Sequence, residues 1–330
     1  MKKTLLSIMA LVAGLTTSSA ISNNTVEVVF STNSATVTVA SNIADYITYE
    51  ISGAHVTIVQ DSLFEGINPT TSNTDGEIIY SLSGTSSDGE FYLSGSYKCT
   101  IELNGLTLTN PSGPALNIQN GKRIDLSAKK GTTNTLVDGA NDGYNGCIHC
   151  KGHLKLKGKG TLTVTGNSKH AIYSKEYMEV KNLTLNIVSA VKDALHCKEY
   201  FLMESGTVNI SSATDDAIQV ELSGTTSTGT TTDHEDEDTG NFYMEGGTLT
   251  ISSYGGKAVK ADGTIAFTGG TQNFDTTDTE TYSAIETVYS DQAGSEATVY
   301  DLQGRMTDGM KSGRIYIINT RIGSKKYFVK

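Results

Sequence analysis

Residues 168–190 read SKHAIYSKEYMEVKNLTLNIVSA, and residues 191–213 read VKDALHCKEYFLMESGTVNISSA. These two stretches are copies of one 23-residue unit. An earlier copy, with one extra residue, lies at residues 143–166, and later copies begin at residues 214 and 255. An insertion at residues 222–239 interrupts the copy that begins at residue 214, after which the pattern resumes. The repeat therefore governs the fold of this part of the chain.

Three columns of apolar residues confirm the alignment of the copies. Each column advances by 23 or 24 residues, except for one step of 41 that crosses the insertion. A unit of three short apolar strands cannot bury its apolar side alone, so successive units must stack on one another. The sequence predicts an all-β protein, a right-handed parallel β-helix in which equivalent residues lie about 4.8 Å apart. The columns are Ile148, Ile172, Leu195, Ile218, Val259; Leu156, Val180, Met203, Met244, Phe267; and Val164, Ile187, Ile210, Ile251, Phe274.

The remaining chain is divided by its composition. Residues 1–20 combine a basic start, a short apolar run and small residues before Ala20, which predicts a signal peptide and a secreted or cell-surface protein. No later stretch is apolar enough to be transmembrane. We predict an N-terminal cap that covers the open end of the helix, followed by the β-helix, a linker and a small C-terminal β tail. The boundaries are residues 21–76, 77–275, 276–296 and 297–330.

The charge distribution limits the class of partner. The formal net charge of −11 argues against nucleic acid. Residues 122–198 nevertheless contain 13 Lys/Arg and 6 Asp/Glu, a local excess of +7. The insertion is acidic and of low complexity, and we expect it to be a mobile loop.

Several motifs carry a family resemblance. Residues 80–110, 129–139 and 146–166, then TDDAIQV at 214–220 followed by a polar insertion, resemble the bacterial secreted carbohydrate-binding-domain proteins. These are parallel β-helices similar in shape to pectate and other polysaccharide lyases. The resemblance covers about residues 77–275 and implies calcium sites and binding to plant-type polysaccharides, including acidic, uronate-containing glycans such as pectin. The sequence departs from the family at Ala217, where a Gly usually follows the Asp pair.

The C-terminal tail has a second resemblance. Within residues 297–330, VYDLQGR and GRIYIIN are similar to the sorting tails of secreted Bacteroidetes proteins. This resemblance also implies a secreted or cell-surface location.

Asp193 and Asp216 occupy the same place in consecutive copies, with Asp215 beside them. Three carboxylates this close repel one another unless a cation neutralises them. Calcium takes six to eight oxygen ligands in flexible geometry, so we predict calcium at Asp193, Asp215 and Asp216, with Glu221 and Asp262 as further ligands. The alternative is a turn with solvated aspartates.

The same three aspartates are the catalytic candidates if the protein is an enzyme. Glycoside hydrolysis needs two carboxylates across the scissile bond. The two Asp-containing motifs loosely resemble those of polygalacturonases, but Lys257 stands in place of the next histidine and no RIK motif follows. Arg123, the only arginine before Arg305, lies several copies away from the aspartates. We predict binding without catalysis, with a hydrolase or lyase as the alternative.

A second set of columns predicts a glycan-binding surface. Lys151, Lys175 and Lys198 form one column, and such a row of like charges is unfavourable without an anionic partner. The phenol rings of Tyr177 and Tyr200 suit stacking on sugars. Glu176 and Glu199 form an adjacent column, so the alternative is that Lys and Glu neutralise each other and that the tyrosines only cover a sheet. The predicted carbohydrate-binding residues are Lys151, Lys175, Lys198, Tyr177, Tyr200 and His196.

The motif CIHCKGH, residues 147–153, resembles a zinc ligand set. The columns instead place Cys147 and Cys150 at small interior positions, so we predict stacked core thiols. Cys150 and Cys197 are two units apart, about 9–10 Å, which is too far for a disulfide.

Overall fold

The structure is a computed structural model that describes residues 21–64, 76–140, 143–224 and 237–281, together with parts of residues 286–329. The predicted signal peptide and residues 225–236 of the insertion lie outside the described residues. Within the described residues the fold is almost entirely β, with one 3-10 helix, Ser41–Tyr46. No helix in this part of the chain is long and apolar enough to cross a membrane.

The N-terminal region consists of two antiparallel hairpins, each joined to a strand further along the chain. In the first hairpin, Thr25–Ser31 pairs in parallel with Ile78–Ser86, and in the second, Ala54–Gln60 pairs in parallel with Gly89–Gly95. Each hairpin therefore contributes the outermost strand at one end of a sheet. The elements are β1 (Thr25–Ser31), β2 (Ser34–Val39), the 3-10 helix, β3 (Ile47–Ser52), β4 (Ala54–Gln60), β5 (Ile78–Ser86) and β6 (Gly89–Gly95).

The strands that follow are short, and most pair in parallel with the third strand along the chain. They are β7 (Cys99–Asn110), β8 (Leu116–Asn120), β9 (Ile124–Ala128), β10 (Thr133–Asp138), β11 (Gly146–Cys150), β12 (Leu154–Gly158), β13 (Thr161–Gly166), β14 (His170–Ser174), β15 (Met178–Lys181), β16 (Thr184–Ala190), β17 (Leu195–Lys198), β18 (Tyr200–Met203), β19 (Thr207–Ile210), β20 (Ile218–Glu221), β21 (Asn241–Met244), β22 (Thr248–Ile251), β23 (Val259–Ala261), β24 (Ile265–Phe267), β25 (Thr271–Asn273) and β26 (Thr279–Thr281).

These strands form two sheets. One has ten strands in the order β26-β23-β20-β17-β14-β11-β8-β6-β4-β3. The other has sixteen strands. Thirteen lie in two arms that meet at the long strand β7, which pairs with β9 through its first half and with β10 through its second half, and the other three, β5, β1 and β2, extend from the opposite edge of β7. Each repeat therefore contributes one strand to the ten-stranded sheet and one to each arm. This arrangement is consistent with the predicted parallel β-helix.

The apolar columns of the sequence are the paired positions of these sheets. Ile148 pairs with Ile172, and Val180 pairs with Met203. The two residues separated by the 41-residue step across the insertion are also paired, since Met203 lies opposite Met244 on the neighbouring strand. All column members before Phe267 are buried. The repeat alignment is thus confirmed across the insertion, because stacked apolar side chains form one continuous core.

The cysteines occupy the core as predicted. Cys147 follows the register of Ala171 on the next strand, and Cys150 pairs with Ser174. All four cysteines, at 99, 147, 150 and 197, are buried and free. Burial raises the pKa of the Cys150 thiol to about 12, which makes it unreactive as a thiolate.

The C-terminal part forms a separate four-stranded sheet in the order β27-β30-β29-β28. Three of its strands lie within the predicted tail, and β27 lies in the predicted linker. The beginning of that linker also differs from expectation, because residues 279–281 form β26 and continue the ten-stranded sheet. The strands are β27 (Glu286–Thr287), β28 (Thr298–Asp301), β29 (Arg314–Thr320) and β30 (Gly323–Val329).

Candidate functional site

Asp193 lies in the turn before β17 and is almost completely buried. Its Oδ2 atom is 2.8 Å from His196 Nδ1 and 3.2 Å from His170 Nδ1. Its Oδ1 atom accepts a hydrogen bond of 3.1 Å from the backbone N–H of Asp216, on the next repeat. Both oxygens of this carboxylate therefore have polar contacts within the protein.

The protonation of this cluster follows from its contacts. Burial opposes ionisation of Asp193, but the two histidines outweigh it and hold the pKa of Asp193 below its usual range. Burial also lowers the pKa of His196, but Asp193 and Glu221 outweigh it and the pKa of His196 is raised. At His170 burial prevails, and its pKa is lowered. The cluster therefore favours an ionised Asp193 beside a protonated His196.

Asp216 and Asp215 lie before β20 and complete the predicted group. Asp216 is buried; its Oδ1 atom accepts a hydrogen bond of 2.7 Å from the N–H of Lys257, and its Oδ2 atom is 3.2 Å from Lys260 Nζ. Asp215 is exposed. Burial raises the pKa of Asp216. The backbone N–H of Lys257 and the ammonium group of Lys260 lower this pKa, but by less than burial raises it. The structure thus brings Asp216, Asp215 and Asp193 together, with carboxylate oxygens within 4.8 Å of one another.

The space between these carboxylates suits a cation. A Cβ atom at Gly256 would lie 2.3 Å from Asp216 Oδ1 and 3.0 Å from Asp215 Oδ1. A glycine at this position therefore leaves the gap between the two carboxylates open. The donor set fits a hard cation, although the Lys260 ammonium already contacts one side of it.

Glu221 and Asp262, predicted as further ligands, do not join this group. Glu221 ends β20 whereas Asp216 precedes it, a separation of roughly 15 Å along an extended strand. The Oε2 atom of Glu221 instead lies 3.5 Å from His196 Nε2 and 3.6 Å from Lys198 Nζ. Asp262 accepts a hydrogen bond of 2.9 Å from the N–H of Leu222.

The distances between the three aspartate carboxylates can be compared with those in glycoside hydrolases. Glycoside hydrolases hold their two carboxyl groups about 5–5.5 Å or about 6.5–9.5 Å apart, with the scissile bond between them. The oxygens of Asp193, Asp215 and Asp216 approach within 4.8 Å, and two of these residues are buried. Of the three carboxylates, only that of Asp215 is exposed to a substrate.

The lysines of the predicted glycan surface follow neighbouring strands. Lys151 follows β11 and Lys175 follows β14, and both are exposed. Within the described residues, neither ammonium group lies within ion-pair distance of a carboxylate. Lys198, at the end of β17, is partly buried and pairs with Glu221 at 3.6 Å. The structure thus leaves two of the three lysines available to an external anion.

The aromatic part of the predicted surface differs from expectation. Tyr177 and Tyr200 are completely buried, with ring centroids 4.8 Å apart. The Tyr200 hydroxyl donates a hydrogen bond of 2.9 Å to Glu179. His196 is buried too, and its ring stacks on Tyr173 at 5.4 Å. The two tyrosine rings lie where the chain turns between the sheets, and His196 lies within β17. Because all three are buried, they are not available to stack on a sugar.

A polar cavity of about 570 Å³ on the sixteen-stranded sheet was missed by sequence reasoning. Arg123 Nη1 lies 2.7 Å from Asp125 Oδ2, and Lys98 Nζ lies 3.1 Å from Glu77 Oε1. Lys157 also pairs with Asp125, whose Oδ1 atom is buried and accepts no hydrogen bond. The spacing of β9 and β12 aligns these residues, but the wall contributed by Asn23 and Asn24 is set by the N-terminal hairpin.

Comparisons with known proteins agree with this fold. A family model described as "Carbohydrate-binding domain-containing protein" matches residues 68–320. A solved structure titled "Structure of the polysaccharide lyase-like protein from C. thermocellum, Gadolinium derivative" is similar in fold, with a TM-score of 0.54 at 18% identity. The similarity covers 78% of this chain and 99% of the other. No curated protein matches the sequence.

Proposed function

Since the chain belongs to the carbohydrate-binding domain family, whose model matches residues 68–320, we propose that it binds an acidic, uronate-containing polysaccharide without cleaving it. The fold similarity to a polysaccharide lyase-like protein supports a polysaccharide as the partner. We also propose that the strands wind as a right-handed β-helix, the hand that parallel crossovers favour. The predicted signal peptide and the resemblance of the tail to sorting tails support export to the cell surface or the medium.

The observation that supports this proposal is the exposed pair Lys151 and Lys175. Equivalent residues of adjacent strands lie about 4.8 Å apart, so the two ammonium groups repel each other. A row of carboxylates along a uronate polymer would replace this repulsion with attraction. Lys198 extends the row, although it already pairs with Glu221.

Calcium is part of the same proposal. Asp215, Asp216 and Asp193 would hold the ion, and Gly256 leaves room for it. Bound calcium would neutralise the negative charge that His196 and Lys260 leave on the three carboxylates, and it would attract uronate groups to this edge of the ten-stranded sheet. Calorimetry with calcium should lose at least one site in the variant that combines Asp215→Asn with Asp216→Asn. An unchanged stoichiometry and affinity would exclude this site.

Binding to polygalacturonate, with a neutral polysaccharide for comparison, tests the main proposal. The variant that combines Lys151→Ala with Lys175→Ala should bind polygalacturonate at least tenfold more weakly. The matched control combines Lys129→Ala with Lys130→Ala, which removes the same charge from the exposed turn after β9. Wild-type affinity should fall as salt rises, because exposed charges are screened over about 8–10 Å.

Two outcomes would overturn the proposal. Equal loss of affinity in the control variant would show only a general charge effect. Steady formation of reducing ends or unsaturated uronates would show that the protein is a hydrolase or a lyase.

A further inference from the structure

Three side chains meet at the corner that the chain turns after each strand of the ten-stranded sheet. His153 lies before β12, Glu176 before β15, and Glu199 between β17 and β18. The Nε2 atom of His153 is 2.9 Å from Glu176 Oε2 and 3.5 Å from Glu199 Oε2. All three atoms lie within 4.8 Å of one another, in a group that shares no residue with the aspartate cluster.

In the part of the chain that the structure describes, His153 is the only cationic partner of these two carboxylates. The Oε2 atoms of Glu176 and Glu199 are buried and lie within ion-pair distance of His153 Nε2, but neither accepts a hydrogen bond of good geometry. Within the described residues, neither glutamate is within ion-pair distance of a lysine or an arginine. One imidazolium would neutralise only half of the charge of two carboxylates. Buried carboxylates are stable only when a counter-charge is present.

The corner is also held in place. The His153 ring stacks on Tyr177 with centroids 4.3 Å apart and planes 12° from parallel, and Tyr177 stacks on Tyr200. Glu199 has a backbone φ of 67°, in the left-handed region that favours glycine. Its N–H donates a hydrogen bond of 2.8 Å to the carbonyl of Glu221. The three side chains are thus supported by contacts with neighbouring repeats.

We propose that His153, Glu176 and Glu199 bind a divalent transition-metal ion of the zinc class. Zinc binds imidazole nitrogen and carboxylate oxygen at about 2.0–2.2 Å, and tetrahedral ligands are then about 3.4 Å apart. The observed separations of 2.9 and 3.5 Å are close to this value. Imidazole is a ligand for zinc, copper, iron and nickel rather than for calcium or magnesium.

The charge and the exposure of the site fit such an ion. Two carboxylates and a neutral imidazole carry a charge of −2, which a divalent ion cancels. The side chains of His153 and Glu176 are 22% and 25% exposed, so a fourth ligand from solvent can reach the metal. A site with three protein ligands and one open position is typical of zinc centres that bind water or a ligand. It would lie beside the exposed lysine pair, since Lys175 directly precedes Glu176.

Protonation of His153 is the competing state. Burial lowers its pKa, but the two glutamates outweigh burial and raise the pKa to about 9. Zinc binds the neutral imidazole, so metal binding and protonation of His153 exclude each other.

The experiment is zinc titration of chelator-treated, full-length protein by calorimetry, with excess calcium present to fill the aspartate cluster. Cobalt titration followed by visible absorption reports the same site spectroscopically. We expect a zinc site in the wild type that is weakened at least tenfold by Glu199→Gln and by His153→Gln. Circular dichroism checks that each variant is folded.

The matched control is His170→Gln, because His170, Asp193 and His196 form another group that could hold a metal. Retention of the zinc site in this variant supports the proposal. Loss in His170→Gln with retention in Glu199→Gln would assign the zinc to the other group and overturn it. Absence of a zinc site in the wild type would also overturn the proposal.

Discussion

Strand β17 has a buried carboxylate at each end, and the two carboxylates are in different electrostatic situations. Asp193, before the strand, contacts two histidines with one oxygen and accepts a backbone N–H with the other. Glu199, directly after the strand, shares one histidine with Glu176 and has a buried oxygen without a hydrogen bond. The 23-residue repeat stacks acidic residues at both ends, but only one end also supplies enough cationic partners. Repetition in sequence therefore produces charge clusters, and neighbouring side chains determine whether each cluster is neutralised.

The largest expected effect on the free energy of unfolding is at Asp193, the carboxylate that contacts two histidines. Asp193→Ala should reduce the free energy of unfolding by about 3 kcal/mol, because it leaves buried histidines and the N–H of Asp216 without their partner. Urea unfolding at pH 7 in the presence of a chelator measures this. The control Asp215→Asn should change stability by less than about 0.5 kcal/mol, since Asp215 is exposed. A loss below about 1 kcal/mol for Asp193→Ala would show that the histidines do not depend on it.

Asp138 is a third buried carboxylate, and it can be compared with Asp193 and Glu199 because its hydrogen-bond donors are backbone N–H groups. Burial raises its pKa to about 6, against the opposing hydrogen bonds from Asn167 and Ser168. The folded state therefore binds this proton more tightly than the unfolded state, whose pKa is near 3.8. The contribution of Asp138 to stability is lost as pH rises from about 4 through 6, by about 3 kcal/mol.

Asp138→Asn removes this titration. The variant should be more stable than the wild type at pH 7.5 and equal to it at pH 4, as measured by urea unfolding at the two pH values. A wild type and a variant with parallel pH profiles would contradict the assignment to Asp138.

A smaller effect, a gain in stability, is expected at Glu199, which directly follows β17. Glu199→Gly should increase stability by about 1 kcal/mol in metal-free protein above pH 9, where His153 is neutral, because glycine adopts the left-handed conformation without penalty. Asn182→Gly is the control, since Asn182 has a φ of 61° but asparagine tolerates this region. Thermal unfolding measures both. Destabilisation by Glu199→Gly at this pH would contradict the prediction.

The smallest effect is expected from the insertion. Replacing residues 225–236 with a two-glycine turn should change stability by about 1 kcal/mol or less, because loop-closure entropy depends weakly on length. The ends of the segment already meet, since the N–H of Ser223 donates a hydrogen bond of 2.7 Å to Asp238 Oδ1. Circular dichroism and thermal unfolding test this. A collapse of the unfolding transition would mean that one of the two carboxylate clusters depends on the inserted segment.

Much of the candidate site followed from the repeat, and some of it did not. The column of Asp193 and Asp216 indicated that their carboxylates meet, and they do. The columns of Tyr177 and Tyr200 were also aligned correctly, but their rings are buried. Strand spacing gives the neighbours of a residue along a column, whereas its exposure depends on how the chain turns the corner between sheets.

The sequence by itself determined the all-β class, the 23-residue repeat, the paired apolar columns and the interior position of the cysteines. The buried apolar side chains recur at a constant spacing, so their positions can be recognised from the sequence alone. Only the tertiary structure decided which counter-charge each carboxylate receives, and that His153 reaches Glu176 and Glu199. It also decided that Asn23 and Asn24, directly before β1, line a cavity beside Arg123. These contacts depend on side-chain reach between strands and on the direction of each turn, which vary from repeat to repeat while the spacing stays constant.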